Sequence, residues 1–221
     1  MTRLIVLLGL ALLFAAAGYV AAYLAYRTFK LNLLEPTRLR APIQWTGESD
    51  GRCRAPLVGD SRIARWPVVA RPGWRIGRLG FAGEAAINTE PAVRHQIATT
   101  GADVVVIQAG GNDVAAAVFP REPLREETIA RAARAVIAIG EDARRAGVSR
   151  VIVLTLVPPI DLELWKRALM GSKQEELMTR LGKSPARRSR RGWRCLTRTA
   201  CSVTPEANCG ASIGATAFIG P

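Results

Sequence analysis

Two short apolar runs that each end in a glycine turn constrain the fold of this chain more than any other feature. Residues 57–61 read Leu-Val-Gly-Asp-Ser, and residues 104–113 read Val-Val-Val-Ile-Gln-Ala-Gly-Gly-Asn-Asp. Unbroken β-branched runs are typical of strands that are covered on both faces, as in parallel sheets. In such sheets ligands bind at the carboxyl ends of adjacent strands. The pattern therefore predicts a fold and also the edge at which a site lies.

The rest of the globular part alternates between strand-like and helix-like segments. Strands are predicted at residues 55–59, 74–79, 103–109 and 150–157, and helices at 84–100, 122–146 and 161–181. Pro91 is able to break the first helix or to start its main part. Strands alternating with helices of this length indicate an α/β fold with a parallel sheet. We predict strand order 2-1-3-4, helices on both faces, and a fifth strand that is missing or irregular.

The segment from Leu4 to Tyr26 carries no charged residue and is long enough to cross a hydrocarbon core of about 30 Å. Tyr19, Tyr23 and Tyr26 lie toward one end, where an interfacial aromatic belt is expected. A cleaved signal peptide is the alternative, but the apolar run continues beyond its small-residue site at Ala17. We predict a single-pass membrane anchor over residues 1–30, followed by a linker over residues 31–54.

The charges that flank this span leave the side of the membrane open. Arg27, Lys30, Arg38 and Arg40 follow it, whereas Arg3 and the amino terminus precede it. Strict counting places the domain in the cytoplasm, but first-helix charge counts are often overridden.

The formal net charge of +13 suggests a nucleic-acid partner, and the distribution of the charge argues against one. Much of the excess lies in residues 182–221 and beside the span, without the aromatic interleaving or helix-turn-helix spacing of a groove reader. We expect a solvated or membrane-facing basic surface and no nucleic-acid partner.

The cysteine spacing predicts no metal site. The four cysteines, Cys53, Cys195, Cys201 and Cys209, form no Cys-x-x-Cys pair, and the one histidine, His95, is remote from them in sequence. A zinc site is therefore not expected. Disulfides are permitted in an oxidising compartment, but the sequence does not demonstrate one.

Three successive predicted strands end in residues that suit acyl transfer. Ser61 follows the first strand and precedes a helix start, Gly83 lies in the Gly-Phe-Ala-Gly turn after the second, and Asn112 lies in the Gly-Gly-Asn-Asp turn after the third. A hydroxyl, a backbone N–H and a side-chain amide are a nucleophile and two oxyanion donors. Each turn alone is weak evidence, since Gly, Asp and Ser favour turns for local reasons.

In this order and at these spacings, the three turns resemble the sequence blocks of the SGNH, or GDSL-type, hydrolase family. The resemblance covers about residues 55–161. It implies a three-layer α/β/α sandwich with a flavodoxin-like parallel sheet. It also implies that Ser61 is the nucleophile, and that the N–H groups of Ser61 and Gly83 with the amide of Asn112 form the oxyanion hole. Hydrolysis of carboxylic esters, thioesters or acetylated sugars follows from the resemblance, without metal or organic cofactor, so the expected substrate is a small-molecule or glycan ester.

The chain departs from the family at its last block, an Asp-x-x-His that supplies the base. No such block is present, and His95 lies on a predicted helix where a surface position is expected. A serine hydroxyl without an imidazole partner is a poor nucleophile at neutral pH. We therefore expect a hydrolase that is impaired in this chain; a catalytically inactive membrane-anchored pseudoenzyme, or a carbohydrate- or acyl-binding module, is the alternative.

The organisation changes abruptly after Leu181. Residues 182–221 are rich in arginine at first and then in Ala, Gly, Thr and Cys, without a usable period. A frameshift in a GC-rich gene produces such a tail, and a divergent pseudoenzyme tail is the alternative. We therefore predict an incomplete hydrolase-like domain over residues 55–181 and a basic, low-order tail over residues 182–221.

Overall fold

The computed structural model describes residues 2–35, 41–47, 53–70, 72–154, 156 and 173–181, and the backbone of residues 193–197 and 200–203. Its helices are α1 (Thr2–Asn32), α2 (Ser61–Ala64), α3 (Ala86–Thr100), α4 (Gly111–Ala117), α5 (Leu124–Arg145) and a helical segment at residues 173–181, here α6. Its strands are β1 (Gln44–Thr46), β2 (Cys53–Gly59), β3 (Trp74–Gly80), β4 (Val104–Gln108), β5 (Arg150–Leu154), β6 (Trp193–Thr197) and β7 (Ala200–Val203).

The strands form one sheet in the order β1-β3-β2-β4-β5-β7-β6. The central four, β3-β2-β4-β5, are parallel, which confirms the α/β class and the predicted order 2-1-3-4. An antiparallel hairpin, β6 and β7, stands beside β5 where the fifth strand was expected to be missing or irregular. An antiparallel hairpin needs no crossover helix, unlike a further parallel strand.

The helices follow from their patterns of buried residues. Helix α5 has Glu126 and Glu127 in its first turn and Arg144 and Arg145 in its last, which suits the helix dipole. Its buried side chains recur at three- and four-residue spacing and face the sheet. Helix α3 begins at Ala86 and continues through Pro91, so the proline neither breaks the helix nor starts it. Pro91 is exposed and lies in the second turn.

The two faces of the sheet are covered unequally within the described residues. One face packs against α3, α4, α5 and α6, with Ile107 and Val151 of the strands among the buried residues. The other face packs against Ile63 of the four-residue helix α2 and against the partly buried Trp66 and Val68. Burial on both faces explains why β2, β4 and β5 are apolar throughout their centres.

The region predicted as a linker contains structure. Helix α1 runs on to Asn32, and β1 pairs antiparallel with β3 at the sheet edge. The side chains of Asn88 and Gln96 on α3 bond to main-chain groups of Leu33, Glu35, Ala41 and Ile43. A three-residue strand carries too little periodicity to be predicted from sequence.

Helix α1 contains a candidate membrane span, Arg3–Asn32, with a mean hydropathy of 2.5 and its most apolar window not buried against the domain. By length and composition it could cross a bilayer, although a signal sequence would pass the same test.

Several predictions fall partly outside the described residues. The helix expected at residues 161–181 is described only over 173–181, and the strand expected at 150–157 only to Leu154. Apart from the backbone of β6 and β7, the tail over residues 182–221 lies outside them too. Its origin in a frameshift therefore stays a prediction.

Candidate active site

The turn between β2 and α2 places Ser61 at the start of a helix. Asp60 is the N-cap of α2, and its Oδ1 accepts the N–H of Arg62 at 3.0 Å. An aspartate at this position satisfies a helix N–H that has no partner within the helix. Asp60 is almost fully buried, whereas Ser61 is half-buried and keeps part of its surface open.

The same aspartate joins this turn to the one after β4. Its Oδ2 accepts the N–H of Gly111 at 3.1 Å, and its own N–H donates to the carbonyl of Gln108 at 3.2 Å. Such an approach requires glycine at residue 59, because a Cβ there would lie 1.8 Å from the Gln108 oxygen. Ser61 directly follows Asp60, and Asn112 directly follows Gly111, so both candidate residues stand next to this hydrogen bond.

The turn after β3 is set by Gly83. The N–H of Glu84 donates to the carbonyl of Phe81 at 3.3 Å, and Gly83 between them has φ +86°. A type II turn needs a positive φ at its third residue, which glycine adopts without steric cost. The N–H of Phe81 donates in turn to the carbonyl of Gly59 at 2.9 Å, so this loop is tied to the end of β2.

Asn112 links the β4 and β3 loops. Its Nδ2 donates to the backbone carbonyl of Glu84, next to Gly83, at 3.0 Å. A primary amide carries two N–H groups, so this bond orients the side chain and leaves a second donor. The structure thus brings Ser61, Gly83 and Asn112 to the carboxyl edge of the sheet; their catalytic roles stay predictions.

A second buried carboxylate, Asp113, supports the same loops. Its Oδ2 accepts the N–H of Ala86, the first residue of α3, at 2.8 Å. Burial is the main cause that raises the pKa of Asp113 to about 6, and the negative charge of Asp60 also raises it. The hydrogen bond from Ala86 and the positive charge of Arg131 act in the opposite direction and lower the pKa.

Sequence reasoning assigned no role to Asp60, Asp113 or Asn88. For Asp60 a signal was available, since an aspartate just before a helix start is a preferred N-cap. For Asp113 and Asn88 no local signal exists, because their partners lie on other elements of the fold.

The one histidine of the sequence lies away from this edge. His95 is exposed on α3, nine residues after Ala86, which corresponds to about 14 Å along a helix axis. This agrees with the interpretation of His95 as a surface residue. Within the described residues, no group of three or more His, Cys, Asp or Glu side chains could hold a metal ion.

Cys53, at the start of β2, is disulfide-bonded, and its partner lies outside the residues whose side chains are described. The sequence permitted a disulfide without demonstrating one, and the structure adds that Cys53 takes part in one.

Comparison with known proteins gives similarity in structure but not in sequence. No family model and no curated protein matches the chain. Among solved structures, a Bacteroides fragilis protein assigned as an acylhydrolase is 16% identical, over 75% of this chain and 70% of that one, with a TM-score of 0.46. A GDSL-like lipase from Bacteroides thetaiotaomicron is 18% identical, over 76% and 74%, with a TM-score of 0.43. The SGNH-hydrolase family esterase AlinE4 is 17% identical, over 62% and 74%, with a TM-score of 0.37. These structural neighbours are acylhydrolases and esterases of the SGNH and GDSL-like kind, at low sequence identity.

Proposed function

We propose that this protein is a serine hydrolase of the SGNH type that acts on carboxylic esters, thioesters or acetylated sugars, with turnover limited by the lack of a histidine base. One observation carries the proposal. Ser61 stands at the amino end of α2, and the amide of Asn112 is locked to the loop of Gly83 at the same sheet edge.

The proposed reaction is acyl transfer to Ser61. The Oγ attacks the carbonyl carbon of the ester, and the carbonyl oxygen takes up negative charge. N–H groups of Ser61, Gly83 and Asn112 stabilise that oxyanion, which is the largest single contribution in many such enzymes. Expulsion of the alcohol leaves an acyl-serine, and water then releases the acid.

The step that this sequence supplies poorly is removal of the hydroxyl proton. The only histidine, His95, is exposed on α3. With the oxyanion donors present and the base absent, a serine hydrolase retains roughly 10³–10⁴-fold acceleration over water. We therefore expect slow, Ser61-dependent turnover.

Imidazole rescue tests this proposal. The full chain in detergent is assayed with a short-chain alkyl ester at increasing imidazole concentrations, beside the Ser61→Ala variant. An imidazole-dependent rate that only the unsubstituted chain shows supports the hydrolase, because the added base replaces the missing side chain. Equal rates in both proteins at every concentration would refute it.

The absence of a histidine at the edge favours a second candidate, an inactive pseudoenzyme or a carbohydrate- or acyl-binding module on the membrane. In that case acetylated ligands bind without being hydrolysed. Saturable binding of an acetylated sugar that Asn112→Ala weakens, together with no imidazole rescue, would favour this candidate over the hydrolase.

Membrane attachment through Leu4 to Tyr26 belongs to both candidates. Retention in the membrane fraction after a carbonate wash would support a single-pass anchor, and recovery in the soluble fraction would refute it. The disulfide at Cys53 favours an oxidising compartment for the domain, whereas the charge count favours the cytoplasm. A topology reporter fused after residue 221 decides between the two sides.

A further inference from the structure

A chain of hydrogen bonds connects the candidate site to the end of the membrane helix. Asn112 donates to the carbonyl of Glu84 at 3.0 Å, and the Glu84 carboxylate accepts from Nδ2 of Asn88 at 3.1 Å. The same nitrogen lies 2.9 Å from the carbonyl oxygen of Glu35 and 3.3 Å from that of Leu33. Asn88 is buried, so the end of α1 is fixed against the loop that carries Gly83.

A second contact fixes α1 nearer to its amino terminus. The ring of Phe119, just after α4, packs edge-on against Tyr23 and Tyr26 of α1, with centroid distances of 5.8 Å in both pairs. The domain therefore holds α1 at two levels: Phe119 packs against the tyrosine rings, and Asn88 of α3 bonds near Leu33.

The sequence of α1 indicates the depth of the aromatic contact. Arg3 keeps the start of the helix at a membrane surface, so the hydrocarbon segment begins at about Leu4. At 1.5 Å per residue, a core of about 30 Å is crossed in about 20 residues, which ends near Tyr23. Tyrosines are enriched at that boundary, and Phe119 lies beside them.

Two helical distances then give the height of the site. From Tyr26 to Leu33, α1 rises by about 10 Å, and Asn112 precedes Phe119 by the same number of residues, about 10 Å along α4 and its final turn. Asn112 is linked to the end of α1 through Glu84 and Asn88, and Phe119 packs against Tyr26, so the two seven-residue rises run between the same two contact levels of α1.

We infer that the site is held about 15 Å outside the hydrocarbon boundary, because Leu33 follows Tyr23 by ten residues, and that it takes an ester on an extended polar headgroup, such as the acylated sugar of a glycolipid. The polar zone of a bilayer is about 5–8 Å deep on each side, so the glycerol esters of phospholipids lie below this height. The chemistry rests on the proposed hydrolase function, whereas the height rests on the proposed membrane anchor and the contacts of α1.

Spin labelling tests the height without any need for activity. The Ser61→Cys variant of the full chain carries a nitroxide in lipid vesicles, with Leu12→Cys as a reference in the hydrocarbon and Phe29→Cys as a reference just outside it. Both reference side chains are exposed on α1. The signal of the unsubstituted chain is subtracted, so that its own cysteines do not contribute.

We expect dissolved oxygen to relax the Ser61→Cys label several-fold less than the Leu12→Cys label. Nickel-chelating lipids should relax it to within about twofold of the Phe29→Cys label, since both labels lie outside the hydrocarbon. Oxygen relaxation like that of Leu12→Cys, or no effect of the nickel lipids, would overturn the inferred height.

Three substrates that carry the same acetyl group test the substrate class with the unsubstituted chain and imidazole. They are a glycolipid acetylated on its sugar, a phospholipid acetylated on its glycerol, and the free acetylated sugar. We expect acetate release from the glycolipid to be at least about tenfold faster at equal bulk concentration, because enzyme and ester share one surface. A faster phospholipid or free sugar would overturn the substrate class. If none of the three substrates shows Ser61-dependent acetate release, the hydrolase function is refuted. The inferred height is then tested by the spin labels alone.

Discussion

The two halves of the candidate site differ in how completely the chain builds them. The half that we propose as an oxyanion hole consists of three loops joined by hydrogen bonds through Asp60, Asn112 and Asp113. The proton-transfer half has no histidine in reach, since His95 is exposed partway along α3. Two of the three proposed oxyanion donors are backbone N–H groups, those of Ser61 and Gly83, whereas the base of such an enzyme is a single side chain. The first half is therefore built largely by the fold, whereas the second depends on one side chain.

The largest expected effect comes from restoring the second half. If residues 182–221 are out of frame, the gene read in another frame beyond about codon 181 should encode an Asp-x-x-His segment. A chain with that segment should hydrolyse short esters roughly 10³–10⁶-fold faster, because the imidazole takes the Ser61 proton. Steady-state rates measure this, with the segment's histidine replaced by alanine as the control. An alternative frame without a histidine would instead favour the divergent pseudoenzyme.

Within the oxyanion half, Asn112→Ala should lower the imidazole-rescued rate by about 10²–10³-fold, as the loss of one oxyanion donor does. The rate at saturating ester is the measurement. Gln44→Ala is the control, since Gln44 is an amide residue on the edge strand β1 that bonds Arg78. If both variants slow the reaction equally, Asn112 has no part in stabilising the oxyanion.

Substitution of Asp60 tests whether its hydrogen bonds between the two loops stabilise the fold. Asp60→Ala removes the acceptor of two backbone N–H groups and should lower the free energy of unfolding by about 2–4 kcal/mol. The matched control is Asp103→Ala, because Asp103 also accepts a backbone N–H, from Arg54 at 2.7 Å, but at an exposed site. Urea denaturation measures both, and an equal loss in the two variants would mean that burial of Asp60 is unimportant.

Asp113 should give the folded protein a distinct dependence on pH. Burial raises the pKa of Asp113 to about 6, above its ordinary value of 3.8, so folding favours the protonated form. This contribution is fully present below about pH 4 and is lost as the pH rises through 6, a change of about 2 kcal/mol between pH 4.5 and 7.5. The Asp113→Asn variant should lack it. The free energy of unfolding of both proteins is measured by denaturation across this pH range. If it changes with pH in parallel in the two proteins, the raised pKa of Asp113 is contradicted.

The smallest expected effect comes from alanine substitutions at two glycines, which distinguish the cost of backbone strain from a role in catalysis. Gly83 and Gly73 both have positive φ, and a Cβ added at either residue would have no other atom within 4 Å. Substitution by alanine should therefore cost each about 1 kcal/mol of stability through backbone strain alone. Only Gly83→Ala should also slow the rescued hydrolysis, since it displaces an oxyanion N–H. An equal rate in the two variants would remove Gly83 from the site.

Much of the fold could be predicted because its information is local. The β-branched runs at residues 103–109 and 150–157 indicate buried strands, and each glycine turn marks where a strand ends. Ser61, Gly83 and Asn112 could be singled out because each lies in a glycine-containing turn that follows a predicted strand. Their convergence needs only the parallel order of the strands.

What could not be predicted depends on contacts between distant residues. Asn88 bonds Leu33 and Asp113 bonds Ala86, and neither pairing leaves a periodic pattern in the sequence. The strand β1 is too short to show alternation. The antiparallel hairpin of β6 and β7 lies in a segment where composition gave no period at all.

The edge strand β1 also bears on solubility. It pairs with β3 through Gln44, Trp45 and Thr46, on the side of β3 away from β2. Without it, β3 would present a row of unpaired N–H and C=O groups, which is a template for adding a strand of another molecule. A version of the domain shortened to begin after residue 46 would therefore self-associate through β3. One that begins at residue 41 would keep the edge covered.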